Sequence, residues 1–210
     1  MTDAEHHEDP LLARMREGDE DALAEAFSRY RDRLRRLVTF RLDRRMYGRV
    51  DADDILQEAF LNASQRIAHF FDESEASFFI WLRLIVCQTL IEVHRRHLGA
   101  QVRDAGREFS LQAGGFPTAT STSLAAQLAG DLTTPSRAVM NDELRNQLEQ
   151  AIGEMSSVDQ EILALRHFEE LSNKEVAEVL QIEQKAASIR YVRALARLQK
   201  ILVGLGIVAE

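Results

Sequence analysis

Lys185, Ser188, Arg190, Arg193, Arg197 and Lys200 recur at short steps along a stretch that holds no acidic residue from Gln184 to Lys200. Cations three and four residues apart share one side of a helix, and five of them left uncompensated suit an electronegative surface such as nucleic-acid phosphate. The plainer reading is a solvated face. A second group has the opposite sign: Asp51, Asp53, Asp54 and Glu58. Asp54 and Glu58 lie one helical turn apart, which permits joint coordination of a hard cation, with His94 and His97 as further ligands. The same acids could cap a helix start. A third group, Phe78, Phe79 and Trp81, could stack on unpaired bases or simply fill a core. No nucleophile elbow, phosphate loop or Cys/His cluster occurs, so no catalytic residue, metal or cofactor is expected.

The elements that must position these groups read as helices. Ser172 and Glu175 form an S-x-x-E capping box, so a short helix begins near Asn173, with Val176, Ala177 and Leu180 as its apolar face. Gln181-Ile182-Glu183 breaks the pattern, and a longer helix starts near Gln184. In it Ala187, Tyr191, Ala194, Leu198, Ile201 and Leu205 make one buried stripe beside the basic one. A capped short helix, a tight turn and a long basic helix spell a helix-turn-helix. Upstream, Leu23, Phe27, Tyr30, Leu34 and Leu37 predict a helix from about Asp21 to Leu42. Asp51 is a good N-cap for a helix with core positions Ile55, Ala59, Phe60, Ala63 and Ile67 that ends around Phe70. Asp72-Glu73-Ser74-Glu75 reads as a loop, and Ser77 to Leu98 as a further helix. Its last turn carries His94, Arg95, Arg96 and His97, a placement the helix dipole favours.

The chain of 210 residues is 45% hydrophobic and 29% charged, as ordinary globular proteins are. A net charge of -8 is unusual for a DNA binder, but the charge is segregated. Arg29 to Arg49 holds nine arginines against Asp32 and Asp43, while Asp51 to Ala76 holds seven acids against Arg66. Such a chain should hold one acidic and one basic partner. Cys87 stands alone, which excludes an internal disulfide and fits a reducing compartment. Met1 to Pro10 lacks an export signal, and the apolar run from Phe78 to Ile91, interrupted by Arg83 and Gln88, is too short to span a bilayer. From Gly99 to Arg137 the periodicity dissolves into Gly, Pro, Ser and Thr, with one helical turn expected around Leu124 to Leu128. The expected architecture is all-α: two small helical domains, residues 10–98 and 138–205, joined by a flexible linker over residues 99–137, the second containing the helix-turn-helix.

Several blocks resemble bacterial RNA polymerase sigma factors of the extracytoplasmic-function (ECF) class. Asp51-x-x-Asp54-Ile55-Leu56-Gln57-Glu58-x-Phe60 is similar to the D-x-x-D-L-x-Q-E-x-F block of that family, and Phe79-x-Trp81-Leu82-x-x-Ile85 to its W-L-x-x-I-A block. Glu161-x-Leu163-x-Leu165-Arg166, Leu171-Ser172-x-x-Glu175-Val176-Ala177 and Arg190-x-x-Arg193-Ala194 resemble its second conserved domain. The resemblance implies a transcription initiation factor whose partners are core RNA polymerase, promoter DNA and an anti-sigma factor, working in the cytoplasm without membrane insertion. It implies Asp54, Gln57 and Glu58 as core-polymerase contacts. It implies Asp72, Phe79, Trp81, Arg95 and Arg96 at the melted -10 element, Lys185, Ser188 and Arg190 at -35 base edges or phosphates, and Arg193 and Arg197 on the -35 backbone. Phe78 and Trp81 on an apolar face read as core residues first. The chain departs from the family at Gln181, usually glycine, at Ala186-Ala187, usually Thr-Val, and at Gln88 and Glu92, usually Asn and Asp.

Two rivals stand beside this reading. A stand-alone helix-turn-helix regulator with an N-terminal dimerisation or effector domain explains the basic helix equally, but not the acidic helix beside nine arginines. A metal enzyme would need the acids and histidines named above to converge.

Overall fold

A computed structural model describes residues 10–73, 76–98, 119–132 and 138–207, and no strand occurs among them. Helix α1 (Pro10–Arg16) buries Leu11 and Met15 against α2 (Glu20–Arg41). Asp19 caps α2 by accepting from the Asp21 and Ala22 amides at 3.0 and 3.3 Å. The expected apolar stripe is realised: Leu23, Phe27, Leu34 and Leu37 are buried. A short 3-10 turn (Arg44–Met46) leads to α3 (Ala52–Glu73), where Asp51 accepts from the Asp53 amide at 2.9 Å and Ile55, Ala59 and Ala63 face inward.

Helix α3 runs a turn past its expected end at Phe70. The cause is tertiary: Phe70 packs against Phe71, Phe78 and Trp81 with ring centroids 5.1 to 5.3 Å apart. Helix α4 (Phe78–Leu98) is apolar on nearly every side, and a helix of that kind belongs in the interior. It packs on both α2 and α3, and Cys87 is buried within it.

Within the stretch read as linker lies a real helix, α5 (Ser121–Leu132), in place of the single turn expected there. Leu124, Ala125 and Ala129 are buried in its packing on α6 (Ala138–Gly153), which supplies Leu148 and Ile152. Short apolar runs gain helicity from such packing rather than from propensity. The remaining linker positions, 99–118 and 133–137, lie outside the described residues. Then follow α7 (Ser157–Leu163), a π-helical turn (Ala164–Phe168), α8 (Asn173–Leu180) and α9 (Gln184–Gly204), the last two starting where expected.

The second unit is seated on the first. Helix α2 touches α5 and the π-helical turn, α4 touches α8, and Phe40 stacks on Phe168 at 4.9 Å.

Candidate functional site

The helix-turn-helix forms as its sequence dictates. The Ser172 hydroxyl accepts from the Glu175 amide at 3.2 Å, and the Glu175 carboxylate accepts from the Ser172 amide at 2.7 Å, which completes the capping box. Helix α8 ends on Gln181 in the left-handed region, φ 53°, and the Ile182 amide donates back to the Ala177 carbonyl at 3.0 Å. The position the family usually gives to glycine therefore keeps glycine's conformation with a glutamine in it.

Ala187 and Ala194 are buried and Tyr191, Leu198, Ile201 and Leu205 half-buried, so α9 presents Lys185, Arg190, Arg193 and Lys200 outward. Ser188 is half-buried, and its hydroxyl donates to the Gln184 carbonyl at 3.2 Å. Two features differ from expectation. Arg197 is not an uncompensated cation, because Asp159 of α7 forms an ion pair with it. Ile189 and Val192 share the outer face and are 44% and 64% exposed.

The acidic group is divided among roles. Asp51 caps α3, Asp53 pairs with Arg31 at 3.2 Å and Arg35 at 3.6 Å, and Glu58 accepts from Arg96 at 2.6 and 2.7 Å. Asp54 and Gln57 are exposed. Glu58, a core-polymerase candidate, and Arg96, a -10 candidate, thus sit together. His94 does not join the acids. It is buried, its Nε2 accepts from the Asp43 amide at 3.2 Å, and burial lowers its pKa, so it stays neutral. Among the described residues no three His, Cys, Asp or Glu side chains gather as metal ligands would.

The aromatic candidates are buried. Trp81 and Phe79 are 6% and 5% exposed, Trp81 lies against Phe70 and Phe78, and the Arg33 guanidinium covers the Phe79 ring at 3.7 Å. Asp72 and Arg95 are exposed on α3 and α4.

Sequence reasoning missed a buried charge cluster between the two units. Arg41 of α2 donates to Glu169 at 2.6 Å and Glu161 at 2.7 Å, and Arg83 of α4 donates to Glu169 at 2.8 Å. All four side chains are buried. In Arg41, Arg83 and Glu169 burial works against charge, and the opposite charges outweigh it: the Glu169 carboxyl is held at about 2, and both arginine pKa values rise. The Ala119 amide donates to Glu161 at 2.5 Å, which ties the start of α5 to the same cluster. Further along, Arg33 meets Glu175 at 3.0 and 3.1 Å, and the Ser77 amide donates to Glu178. The available signal was Arg83 itself, a lone cation in an apolar helix that had to find carboxylates somewhere.

The fold and these surfaces define a two-part helical transcription factor with a helix-turn-helix in its second part. Comparison with known proteins makes this specific. Residues 26–98 match sigma-70 region 2 and residues 145–198 match sigma-70, region 4. The chain is 29% identical to the ECF RNA polymerase sigma factor SigW of Bacillus subtilis (strain 168), over 91% of this chain and 94% of that one. It is 26% identical to the RNA polymerase sigma-H factor of Pseudomonas aeruginosa, over 91% and 92%, and 27% identical to the ECF RNA polymerase sigma-E factor of Haemophilus influenzae, over 88% and 89%. In fold it is similar to CnrH, solved in complex with the cytosolic domain of CnrY, with a TM-score of 0.51, 18% identity and coverage of 92% and 96%. The chain belongs to the ECF sigma factors of RNA polymerase, which direct transcription initiation at promoters. No helix among the described residues is long and apolar enough to cross a membrane.

Proposed function

We propose that this chain divides promoter-directed initiation among three surfaces. The exposed Asp54 and Gln57 on α3, with Glu58, dock on a basic element of core polymerase. The α4 start and the end of α3, through Phe79, Trp81 and Asp72, take up the melted -10 strand, with Arg95 and Arg96 on its backbone. Helix α9 enters the -35 major groove with Lys185, Ser188 and Arg190 toward the bases and Arg193 and Arg197 toward the phosphates. The protein works in the cytoplasm, performs no chemistry of its own, and is restrained by an anti-sigma partner, as the complex of the structurally similar CnrH suggests by analogy.

The observation that carries the docking assignment is Asp54. Its neighbours Asp51 and Asp53 serve a cap and an arginine pair and Glu58 holds Arg96, whereas Asp54 lies exposed on the same helix. Asp54→Lys is therefore the clean test, since Glu58→Lys also releases Arg96. Holoenzyme assembly, read as the affinity of purified core polymerase for the labelled full chain, should fall at least about tenfold with an unchanged melting temperature. Wild-type affinity in the variant would refute the docking assignment.

A further inference from the structure

Helix α9 turns about 100° per residue, so the positions that project farthest from the domain lie opposite the buried Ala187 and Ala194. Lys185, Ile189, Val192 and Ala196, four, three and four residues apart, make that line. Lys185 heads it, and the rest is apolar. Ile189 is 44% and Val192 64% exposed. Arg193 and Lys200 stand on one flank of the line, with Arg190 and Arg197 beyond them. The leading edge of the helix assigned to DNA is therefore a pair of β-branched side chains beside a row of cations.

A single apolar residue on a protein surface is ordinary. Ile189 and Val192 are neighbours on one line, and at an exposed helix position a β-branched residue forms helix less readily than Lys, Gln or Glu. Neither fills the core. Whatever covers them must also accept the cations on their flank. A second copy of the chain would set the same cations against them and be repelled. Duplex DNA meets both demands: its phosphates suit the basic flank, and its major groove offers an apolar group, the C5-methyl of thymine. Arginine and lysine at a base edge select guanine, so the cations by themselves cannot specify an A·T pair. Ile189 and Val192 are separated by about 4.5 Å of helix rise, near the roughly 3.4 Å between successive base pairs.

We propose that Ile189 and Val192 read thymine methyl groups at neighbouring base pairs of the -35 element, and so set an A·T preference beside the positions that Lys185 and Arg190 read. This deepens the -35 assignment above and rests on it. The two side chains contribute sequence preference, and the flanking cations contribute affinity for any sequence.

The test uses holoenzyme and a promoter fragment that wild-type holoenzyme recovers from genomic DNA. Each thymine of its -35 element is replaced in turn by deoxyuridine, which removes the methyl group and leaves the hydrogen-bonding edge intact. At two neighbouring base pairs the replacement should weaken wild-type binding about fourfold, the effect of withdrawing one methyl group from apolar contact. Ile189→Ala should abolish that penalty at one of the pairs and Val192→Ala at the other, while Ile189→Val retains it. Both alanine variants should keep or raise the melting temperature, because alanine is the better helix former. Arg193→Ala should weaken binding and leave the penalty in place. Deoxyuridine without effect at every -35 thymine overturns the proposal, as does a penalty that persists in both alanine variants. Scrambling the -35 element separates the two levels. If scrambling abolishes binding while deoxyuridine does not matter, the methyl readout alone is rejected. If scrambling is without effect, the underlying -35 reading falls.

Discussion

At the scale of single residues, two positions show how conformation and burial override side-chain type. Gln181 holds a left-handed backbone that costs a non-glycine residue about 1 kcal/mol. Glycine would remove that strain while giving the unfolded chain more freedom. Gln181→Gly should therefore stabilise the protein by up to about 1 kcal/mol in urea unfolding, and Gln181→Val should destabilise it. Cys87 is buried, and burial pushes its thiol pKa up, away from the thiolate that reacts. In a thiol-titration assay the native protein should show no fast-reacting thiol, and the denatured protein one.

At the scale of elements, α9 separates cations that are free to meet DNA from one that is already engaged. Arg193 is exposed on the outer face, and its replacement by alanine should weaken duplex binding on all sequences and reduce the salt slope by about 0.9. Arg197→Ala should reduce it less, because Asp159 already neutralises that charge. Asp159→Asn should conversely steepen the slope. Lys185 and Arg190 variants should instead change which -35 sequence is preferred. Salt-series anisotropy on matched and mismatched duplexes measures each of these variants.

At the scale of the whole molecule, closure should depend on pH through Glu169. Burial alone would raise its carboxyl pKa, but Arg41 and Arg83 hold it at about 2 against an ordinary 4.5. A depressed carboxyl stabilises the closed form fully above the ordinary value and progressively less as pH falls from about 4.5 toward 2. The shift corresponds to roughly 3 kcal/mol of closure free energy. Scattering should show expansion across that window in wild type and little pH dependence in Glu169→Gln. Near neutral pH the free chain, closed and carrying a net charge of -8, should bind promoter duplex weakly and holoenzyme tightly. Tight promoter-specific binding by the free chain would instead suit a stand-alone regulator.

Periodicity and capping chemistry are local, and they were legible. The α2 stripe, the Ser172–Glu175 box and the stripe of α9 follow from spacing alone, because a helix face is set by residues three and four apart. The blocks around Asp54, Trp81 and Arg193 were enough to indicate the family, since they keep their order and spacing along the chain. Charge pairing was not legible. Nine arginines beside few acids read as a free basic surface, yet Arg33, Arg36 and Arg41 find Glu175, Glu170, Glu161 and Glu169 more than a hundred residues away. Likewise α5 reads as a weak apolar run, and packing on α6 makes it a helix. A sequence determines which faces exist, because each face is a local property. Which faces meet is decided by tertiary structure, because burial, and the low dielectric that makes an ion pair strong, arise when distant segments exclude water together.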